Sequence, residues 1–344
     1  MIWLTWRQHR LSLLAGAAAV VALGIFLVIT GLSTRADFTR LGLDSCGIPT
    51  HMKCAEASAQ FLRSHSAHQF LAPLLLLLPA LVGVFWGAPL VARELEQGTH
   101  HLVWSQSISR TRWLAVKVSL LGVAVVLASG AVTWLVNWWI TPIMSADPQQ
   151  FDPGIFDLLG VVPAAYALVA LAIGVAAGTL TRKLVPAIGL TLVLFLALRV
   201  GMTVGVRPNV MAPVHATFAF PTSATKGDQP AVPDGWKITL ETRDRDGRFI
   251  GSGVGMEPQG LMADCPEVAA NRGREAEDTD RAQVGPSTLN AVDECAERFG
   301  FHVVAVYQPA ERYWRFQLTE AAIYLVVSGG LLGASAWWIR NRIT

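Results

Sequence analysis

The stretch RELEQGTHHLVWSQSISRTRWLAVK, residues 93–117, is the polar segment on which the fold depends, because hydrophobic runs lie directly before and after it. Gly98 is well placed to end the preceding helix, since glycine adopts the left-handed C′ conformation without a Cβ penalty. Thr99 can cap a new short helix, and Ser107 or Ser109 can cap the helix that follows. The sequence therefore predicts a helix of about two turns held between two membrane-spanning helices, where a soluble partner can bind it.

The composition of the chain is that of an integral membrane protein. Of its 344 residues, 52% are hydrophobic and only 15% are charged, and the mean hydropathy is +0.43. A soluble domain of this length would carry about 25% charged residues. The net charge of +2 is too small to indicate a nucleic-acid partner.

Six apolar runs are long enough to cross a bilayer, which takes about 20 helical residues. A secretory signal has a shorter apolar core and a small-residue cleavage site, so the first run is interpreted as a permanent anchor. Before it, Trp3 and Trp6 stand among basic residues, a pattern typical of a short helix on the membrane surface. The predicted spans are Leu11–Leu32, Phe70–Ala92, Val118–Ile140, Leu158–Leu180, Leu184–Gly205 and Ala321–Ile339.

The distribution of lysine and arginine predicts that both termini and the 93–117 loop are cytoplasmic, because basic residues near span ends favour that side. The opposite side carries Arg35, Arg40, Lys53 and Arg63 in its first loop and no lysine or arginine in its second. The residues on the predicted cytoplasmic side are Arg7, Arg10, Arg93, Arg110, Arg112, Lys117, Arg182, Lys183, Arg340 and Arg342.

The cysteines agree with this orientation, because all four lie in predicted outer loops, where an oxidising environment permits disulfides. Cys46 with Cys54, and Cys265 with Cys295, are the pairs closest in sequence. Four cysteines allow three connectivities, and the sequence alone does not choose among them.

The long loop between spans five and six is predicted to fold. Trp236–Leu240 and Gly247–Ile250 flank an Asp-Gly turn and suggest a hairpin. Ser287–Phe299 has the pattern of a capped amphipathic helix, and Phe301–Tyr307 that of a strand.

The predicted fold is therefore an all-α integral membrane protein with six transmembrane helices, both termini inside, and a small α+β extracytoplasmic subdomain between helices five and six. Its segments are an interfacial helix (1–10), helices one to five with the 93–117 loop (11–205), the subdomain (206–320), and helix six with a cytoplasmic tail (321–344).

The sequence predicts neither a catalytic nor a metal site. It contains no G-x-x-x-x-G-K-[ST], HExxH, GxSxG or CxxC motif. His51, His65 and His68 fit solvated loop histidines better than metal ligands.

Two polar residues within predicted spans are candidates for a substrate path. Arg199 lies near the outer edge of span five, where it either extends to the headgroups or lines an outward-facing cavity. Asn137, among three tryptophans of span three, favours an interhelical hydrogen bond over a ligand contact. Small residues four apart, as at Gly174 and Gly178 or Gly329 and Gly333, allow close helix packing within the chain or between two copies.

The run Arg93-Glu94-x-Glu96-x-Gly98-Thr99, followed by Ser107-x-Ser109-Arg110-x-Arg112 and Lys117, resembles the signature of type-2 ABC-transporter permeases. The six spans, the internal termini and the large loop between spans five and six are similar to that family along essentially the whole chain. Tyr307–Gln317 and Trp3–Arg7 resemble an actinobacterial-type branch. The large outer loop departs from the compact outer region common in the family.

The resemblance implies a membrane subunit that exports a hydrophobic or amphipathic compound, peptide or lipid. The 93–117 loop would dock on a separate cytoplasmic ABC ATPase, present in two copies, which would bind ATP and magnesium. A second copy of this permease or a related one would complete the complex. In this interpretation Glu94 and Glu96 pair with basic groups of the ATPase, and Leu102, Val103 and Trp104 form an apolar face. Arg110, Arg112 and Lys117 hold span three at the anionic leaflet.

One alternative from another class remains open: a non-transporting membrane sensor or immunity scaffold whose outer subdomain binds a ligand and signals through the same loop. A transporter should stimulate substrate-dependent ATP hydrolysis, whereas a scaffold should not.

Overall fold

The computed structural model describes residues 2–46, 52–65, 71, 74–98, 109–146, 151–220, 235–253, 265–271 and 286–342. Within them lie six helices that are long and apolar enough to cross a membrane, which confirms the predicted fold class. We number these helices as spans one to six: Leu14–Arg40, Leu78–Glu96, Arg110–Ala146, Val162–Thr181, Leu184–Asn209 and Ala310–Arg342.

The described elements include the predicted spans, hairpin, helix and strand, together with elements that the sequence analysis did not predict: the strand Val214–Ala219 and the helices Met52–Ser64, Pro153–Phe156 and 266–271. The strands are β1 (Val214–Ala219), β2 (Gly235–Arg243), β3 (Phe249–Ser252) and β4 (His302–Pro309). The α-helices are Ile2–Arg40, Met52–Ser64, Leu78–Val82, Ala88–Glu96, Arg110–Ala146, Pro153–Phe156, Val162–Thr181, Leu184–Val200, 266–271, Pro286–Phe299 and Tyr313–Arg342. The π- and 3-10 turns are Gly83–Gly87, Gly201–Val206, Arg207–Asn209 and Ala310–Arg312.

Three helices begin before the apolar runs that predict them. Ile2–Arg40 is continuous, so no break separates residues 2–10 from span one. Helix Arg110–Ala146 begins eight residues before predicted span three, and helix Tyr313–Arg342 begins eight before residue 321. Residues 313–320, predicted to belong to the subdomain, are thus part of span six. Hydropathy detects only the part of a helix that crosses hydrocarbon, whereas backbone hydrogen bonding continues through polar residues at both ends.

Span four is the centre of the bundle, and glycines bring span two against it. A Cβ placed at Gly174 would lie 2.5 Å from the Gly83 carbonyl oxygen, and one at Gly178 would lie 2.8 Å from that of Ala88. From the other side, a Cβ at Gly87 would lie 2.7 Å from the Leu171 carbonyl oxygen. The predicted close packing at Gly174 and Gly178 therefore occurs within the chain.

The glycines of span six behave differently. A Cβ at Gly329, Gly330 or Gly333 would meet no other described atom within 4 Å. In the described part of the chain, these glycines contribute nothing to helix packing.

A four-stranded antiparallel sheet, ordered β1-β4-β2-β3, stands between spans five and six. The predicted hairpin is the β2–β3 pair, and Gly247 in its turn has φ +80°. The amphipathic helix Pro286–Phe299 covers one face of the sheet, where Val292 and Ala296 share a core with Val303 of β4. The α+β character predicted for this region is confirmed.

One of the two suggested disulfides is present: Cys265 and Cys295 are bonded and fully buried in that core. Cys46 is also disulfide-bonded. The side chain of Cys54 lies outside the described residues, so its pairing with Cys46 stays a prediction.

The close packing of spans two and four can be tested by adding a side chain at a glycine where the neighbouring backbone leaves no space for one. We expect Gly174→Val to destabilise the detergent-purified protein by about 3 kcal/mol, the upper end of the usual cost of overpacking, because the added side chain meets backbone rather than a movable side chain. Gly330→Val is the matched control and should leave the melting temperature nearly unchanged, since no described atom lies near it. Equal melting temperatures for the two variants would contradict the close approach of spans two and four.

Candidate functional site

The candidate site lies where span two ends and span three begins, at the end of the bundle that we call the loop end. Span four also ends here, span five begins here, and span six ends here. Gly98 has φ +68°, the left-handed conformation that the sequence predicts for it. Five of the predicted site residues lie outside the described residues, and their roles stay predictions: Thr99, Leu102, Val103, Trp104 and Ser107.

A buried ion pair joins spans two and three directly before and after the loop. The ammonium group of Lys117 donates to Glu94 Oε1, and the two side chains are 4% and 12% exposed. The Lys117 Nζ also lies 4.6 Å from the ring centroid of Trp113, within the range of a cation–π contact. These two residues therefore lock the helices to each other.

The sequence did not predict this pairing. Lys117 is paired with Glu94 inside the protein, and its role at the anionic leaflet stays a prediction. Glu94 in turn directs its carboxylate to span three. Sequence reasoning missed the pair because the two residues are separated by the whole loop.

Glu96 connects the same loop to span five. Its Oε2 accepts a hydrogen bond of 2.9 Å from the backbone N–H of Leu184, the first residue of helix Leu184–Val200. The first N–H groups of a helix have no hydrogen-bond partner within the helix, and a carboxylate here accepts from one of them. Its negative charge also interacts favourably with the positive end of the helix dipole. Glu96 remains exposed, as is Arg93, so both are accessible at the loop end.

Arginines of spans three and four hold the end of span six. Arg110 Nη1 donates to the Ile339 carbonyl at 3.4 Å, and Arg182 Nη2 donates to the Arg342 carbonyl at 3.3 Å. At a helix C-terminus, cationic side chains donate hydrogen bonds to the last carbonyl groups and interact favourably with the negative end of the helix dipole. Ser109 caps span three as predicted, since its Oγ accepts from the Arg112 N–H at 3.4 Å, and the Arg112 side chain is exposed.

A second group of charges lies at the opposite end, which we call the sheet end. Arg207 is 2% exposed, pairs with Asp157, and donates from Nε to Glu320 Oε2 at 3.0 Å and from Nη2 to Oε1 at 2.9 Å. Arg199 Nη2 donates to Asp157 Oδ2 at 2.7 Å. The hydroxyl of Tyr166 donates to Glu320 Oε1 at 3.0 Å. We call Asp157, Arg199, Arg207 and Glu320 the charge cluster; its formal charges sum to zero.

The charge cluster gives Arg199 a partner that neither interpretation included. Its side chain is 16% exposed and pairs with Asp157, and its place in a substrate path stays a prediction. Burial raises the pKa of Asp157, and the neighbouring Arg207 and Arg199 partly offset that rise. The cluster joins spans five and six to the segment before span four.

Hydropathy could not reveal these partners, because Arg207 and Glu320 stand just outside the apolar runs and Asp157 lies in the loop between two of them. The available signal was the presence of opposite charges directly beside consecutive spans. Their pairing depends on which spans are neighbours.

Asn137 is exposed on span three, and its amide makes no hydrogen bond to the described residues. The interhelical hydrogen bond that its sequence context favours is therefore not formed within the described chain. It lines a groove together with residues at the start of span six.

The family described as ABC-2 membrane transporter related matches residues 17–207, more than half of the chain. The match covers all but the first three residues of span one, all of spans two to four with the 93–117 loop, and all but the last two residues of span five. No curated protein and no solved structure is significantly similar to the chain.

The buried Glu94–Lys117 pair leads to a test of the loop end. We expect Lys117→Met to destabilise the purified protein by about 3–5 kcal/mol, because it leaves the Glu94 carboxylate buried without its counter-charge. The double variant Glu94→Gln with Lys117→Met should recover most of this loss, since both charges are then absent. Thermal unfolding in detergent measures both effects.

Lys183→Met is the control, because Lys183 is an exposed lysine at the same end of the bundle. It should unfold at the temperature of the unmodified protein. If Lys117→Met and Lys183→Met behave alike, the ion pair does not hold spans two and three together.

Proposed function

The chain belongs to the ABC-2 membrane transporter related family, and on that premise we propose that it is the membrane subunit of an ATP-driven exporter. Its cargo is a hydrophobic or amphipathic compound, peptide or lipid. A separate cytoplasmic ABC ATPase, present in two copies, binds ATP and magnesium and docks on the loop between spans two and three. This chain supplies the path through the membrane and no hydrolytic chemistry.

The observation that carries this proposal is the set of contacts at the loop end. Residues on both sides of the loop are bound to other spans: Glu94 to Lys117, Glu96 to the start of span five, and Arg110 to the end of span six. A force applied to the loop therefore reaches spans two, three, five and six at once. An isolated surface loop would absorb the same force by local bending.

The physical role of these contacts is to convert movement of the ATPase into movement of helices. When two ATPase subunits close on ATP, the loop between Gly98 and Ser109 moves with them. The ion pair keeps spans two and three together, and the Glu96 cap carries span five along. The glycine contacts make spans two and four one rigid body, so the displacement is transmitted rather than dissipated.

We place the loop end and both termini in the cytoplasm, because lysine and arginine concentrate there. The sheet and its disulfide then lie outside, where oxidation is permitted. A second copy of this chain, or a related permease, completes the assembly in the cell membrane.

The coupling role is tested with the double variant Glu96→Gln, Gly98→Ala. It removes the charge that caps span five and forces a side chain into the φ +68° conformation, which costs roughly 1–2 kcal/mol. Substrate stimulates ATP hydrolysis by the co-purified ATPase by some factor in the unmodified complex. We expect this factor to be about tenfold smaller in the variant. The measurement is made on the complex isolated from native membranes.

The matched control is Glu311→Gln with Gly247→Ala, an exposed carboxylate and a positive-φ glycine at the sheet end. It should leave ATPase recruitment and stimulation unchanged. Full recruitment and full stimulation in the Glu96/Gly98 variant would refute coupling through this loop. A complex that hydrolyses ATP without any response to a transported compound would favour the sensor or scaffold instead.

A further inference from the structure

A groove of about 500 Å³ runs along span three toward the sheet end. One wall is formed by the exposed face of span three, including Thr133, Asn137 and Thr141. The other wall is formed by Gly160 of the loop before span four and by Tyr313 and Trp314 at the start of span six. Its volume lies within the range of roughly 300–1,000 Å³ that small-molecule sites occupy.

The span-three wall carries a row of polar side chains. Thr133, Asn137, Thr141 and Ser145 recur at every fourth position, so they lie on one face of the helix. The hydroxyl of Thr141 donates to the Asn137 carbonyl at 2.7 Å, and that of Ser145 donates to the Thr141 carbonyl at 3.0 Å. Both hydroxyl protons are therefore used by the helix. The amide of Asn137 keeps its donors and its acceptor for a molecule in the groove.

Two exposed indoles border the same groove. Trp134 is 70% exposed and Trp314 is 57% exposed, although a large aromatic side chain gains free energy from burial. Tryptophan is typical of the membrane–water interface, where its ring meets apolar surface on one side and water on the other. The groove thus offers flat apolar walls beside a hydrogen-bonding amide.

None of the described lining residues carries a charge. At the sheet end, each guanidinium of the charge cluster is bound to a carboxylate. Two further arginines stand beside these elements without lining the groove: Arg35 donates to the Trp138 carbonyl at 2.7 Å, and Arg315 is exposed next to Trp314. An ionic group that entered the groove would lose hydration without meeting a counter-charge. The lining therefore selects against ions.

We propose that this groove binds an uncharged amphipathic molecule, with its apolar body against Trp134 and Trp314 and a hydroxyl or carbonyl group at the Asn137 amide. This inference rests on the proposed export function and deepens it, because the groove becomes the site that holds the cargo at the sheet end. A lipid with an uncharged headgroup and a free uncharged amphiphile share this chemistry.

The test uses photoreactive probes on the full chain with its ATPase in phosphatidylcholine nanodiscs. Three diazirine probes share a 12-carbon chain and differ in the head: a monoacylglycerol, a trimethylammonium and a sulfate. We expect saturable labelling of 130–145 and 313–314 by the monoacylglycerol alone, located by mass spectrometry. Asn137→Leu should weaken its apparent affinity about fivefold, the loss expected for one neutral hydrogen bond.

The matched control is Asn209→Leu, which changes an exposed asparagine near the same end of span five, outside the groove. It should label like the unmodified chain. Competition by both unlabelled monoacylglycerol and an uncharged aromatic amide identifies the occupant as a free amphiphile, whereas competition by the monoacylglycerol alone identifies a lipid. Either result supports an uncharged amphipathic ligand.

Three results would overturn the proposal. They are equal labelling by all three probes, labelling that Asn137→Leu leaves unchanged, and cross-linking of two chains through Asn137→Cys, which would place a second copy over the groove.

ATPase recruitment is measured in the same samples. If recruitment persists while the groove is not labelled, the groove assignment is wrong and the proposed coupling to an ATPase is unaffected. If no ATPase is recruited, the export function fails.

Discussion

A charge withdrawn from water needs an opposite charge beside it, and both ends of this bundle are organised by that requirement. At the loop end, Glu94 and Lys117 satisfy each other across the gap between spans two and three. At the sheet end, Arg207 is held by Asp157 and Glu320, which belong to different parts of the chain. In each case the pairing fixes which helices are neighbours and how they are positioned relative to one another along the bundle axis. The apolar faces could slide along one another, whereas a buried ion pair cannot be displaced without exposing its charges to hydrocarbon.

Between the two ends, close packing replaces electrostatics. The glycines of spans two and four bring the backbones into contact, so this pair behaves as a solid core to which the other spans attach. Span six then runs the full height of the bundle, from Glu320 in the charge cluster to Ile339 beside Arg110. A displacement at the loop end is thereby connected to the sheet end through one continuous helix.

The sheet is attached to this frame by short, hydrogen-bonded connections. β1 and β4 are paired down to Val214 and Tyr307, close to the points where they leave spans five and six. Gln308 Nε2 donates to the Met211 carbonyl at 2.7 Å, and Arg312 Nη1 donates to the Ala212 carbonyl at 2.7 Å. These bonds hold the sheet against the ends of spans five and six. The start of span six also borders the groove beside span three.

The sequence by itself determined the number of spans, the β2–β3 hairpin, helix Pro286–Phe299 and strand β4 of the subdomain, and the left-handed glycine at position 98, because each of these depends on local hydropathy or local backbone geometry. It missed β1, and it did not distinguish Gly174 and Gly178, which pack closely, from Gly329 and Gly333, which do not. Only the tertiary structure decided that Glu94 faces Lys117, that Glu96 caps span five, that Arg199 belongs to a neutral cluster and that Asn137 stays exposed. These arrangements depend on which helices lie side by side. Similar hydrophobic faces can pack in many orders, and it is the long-range pairing of polar groups that selects one of them.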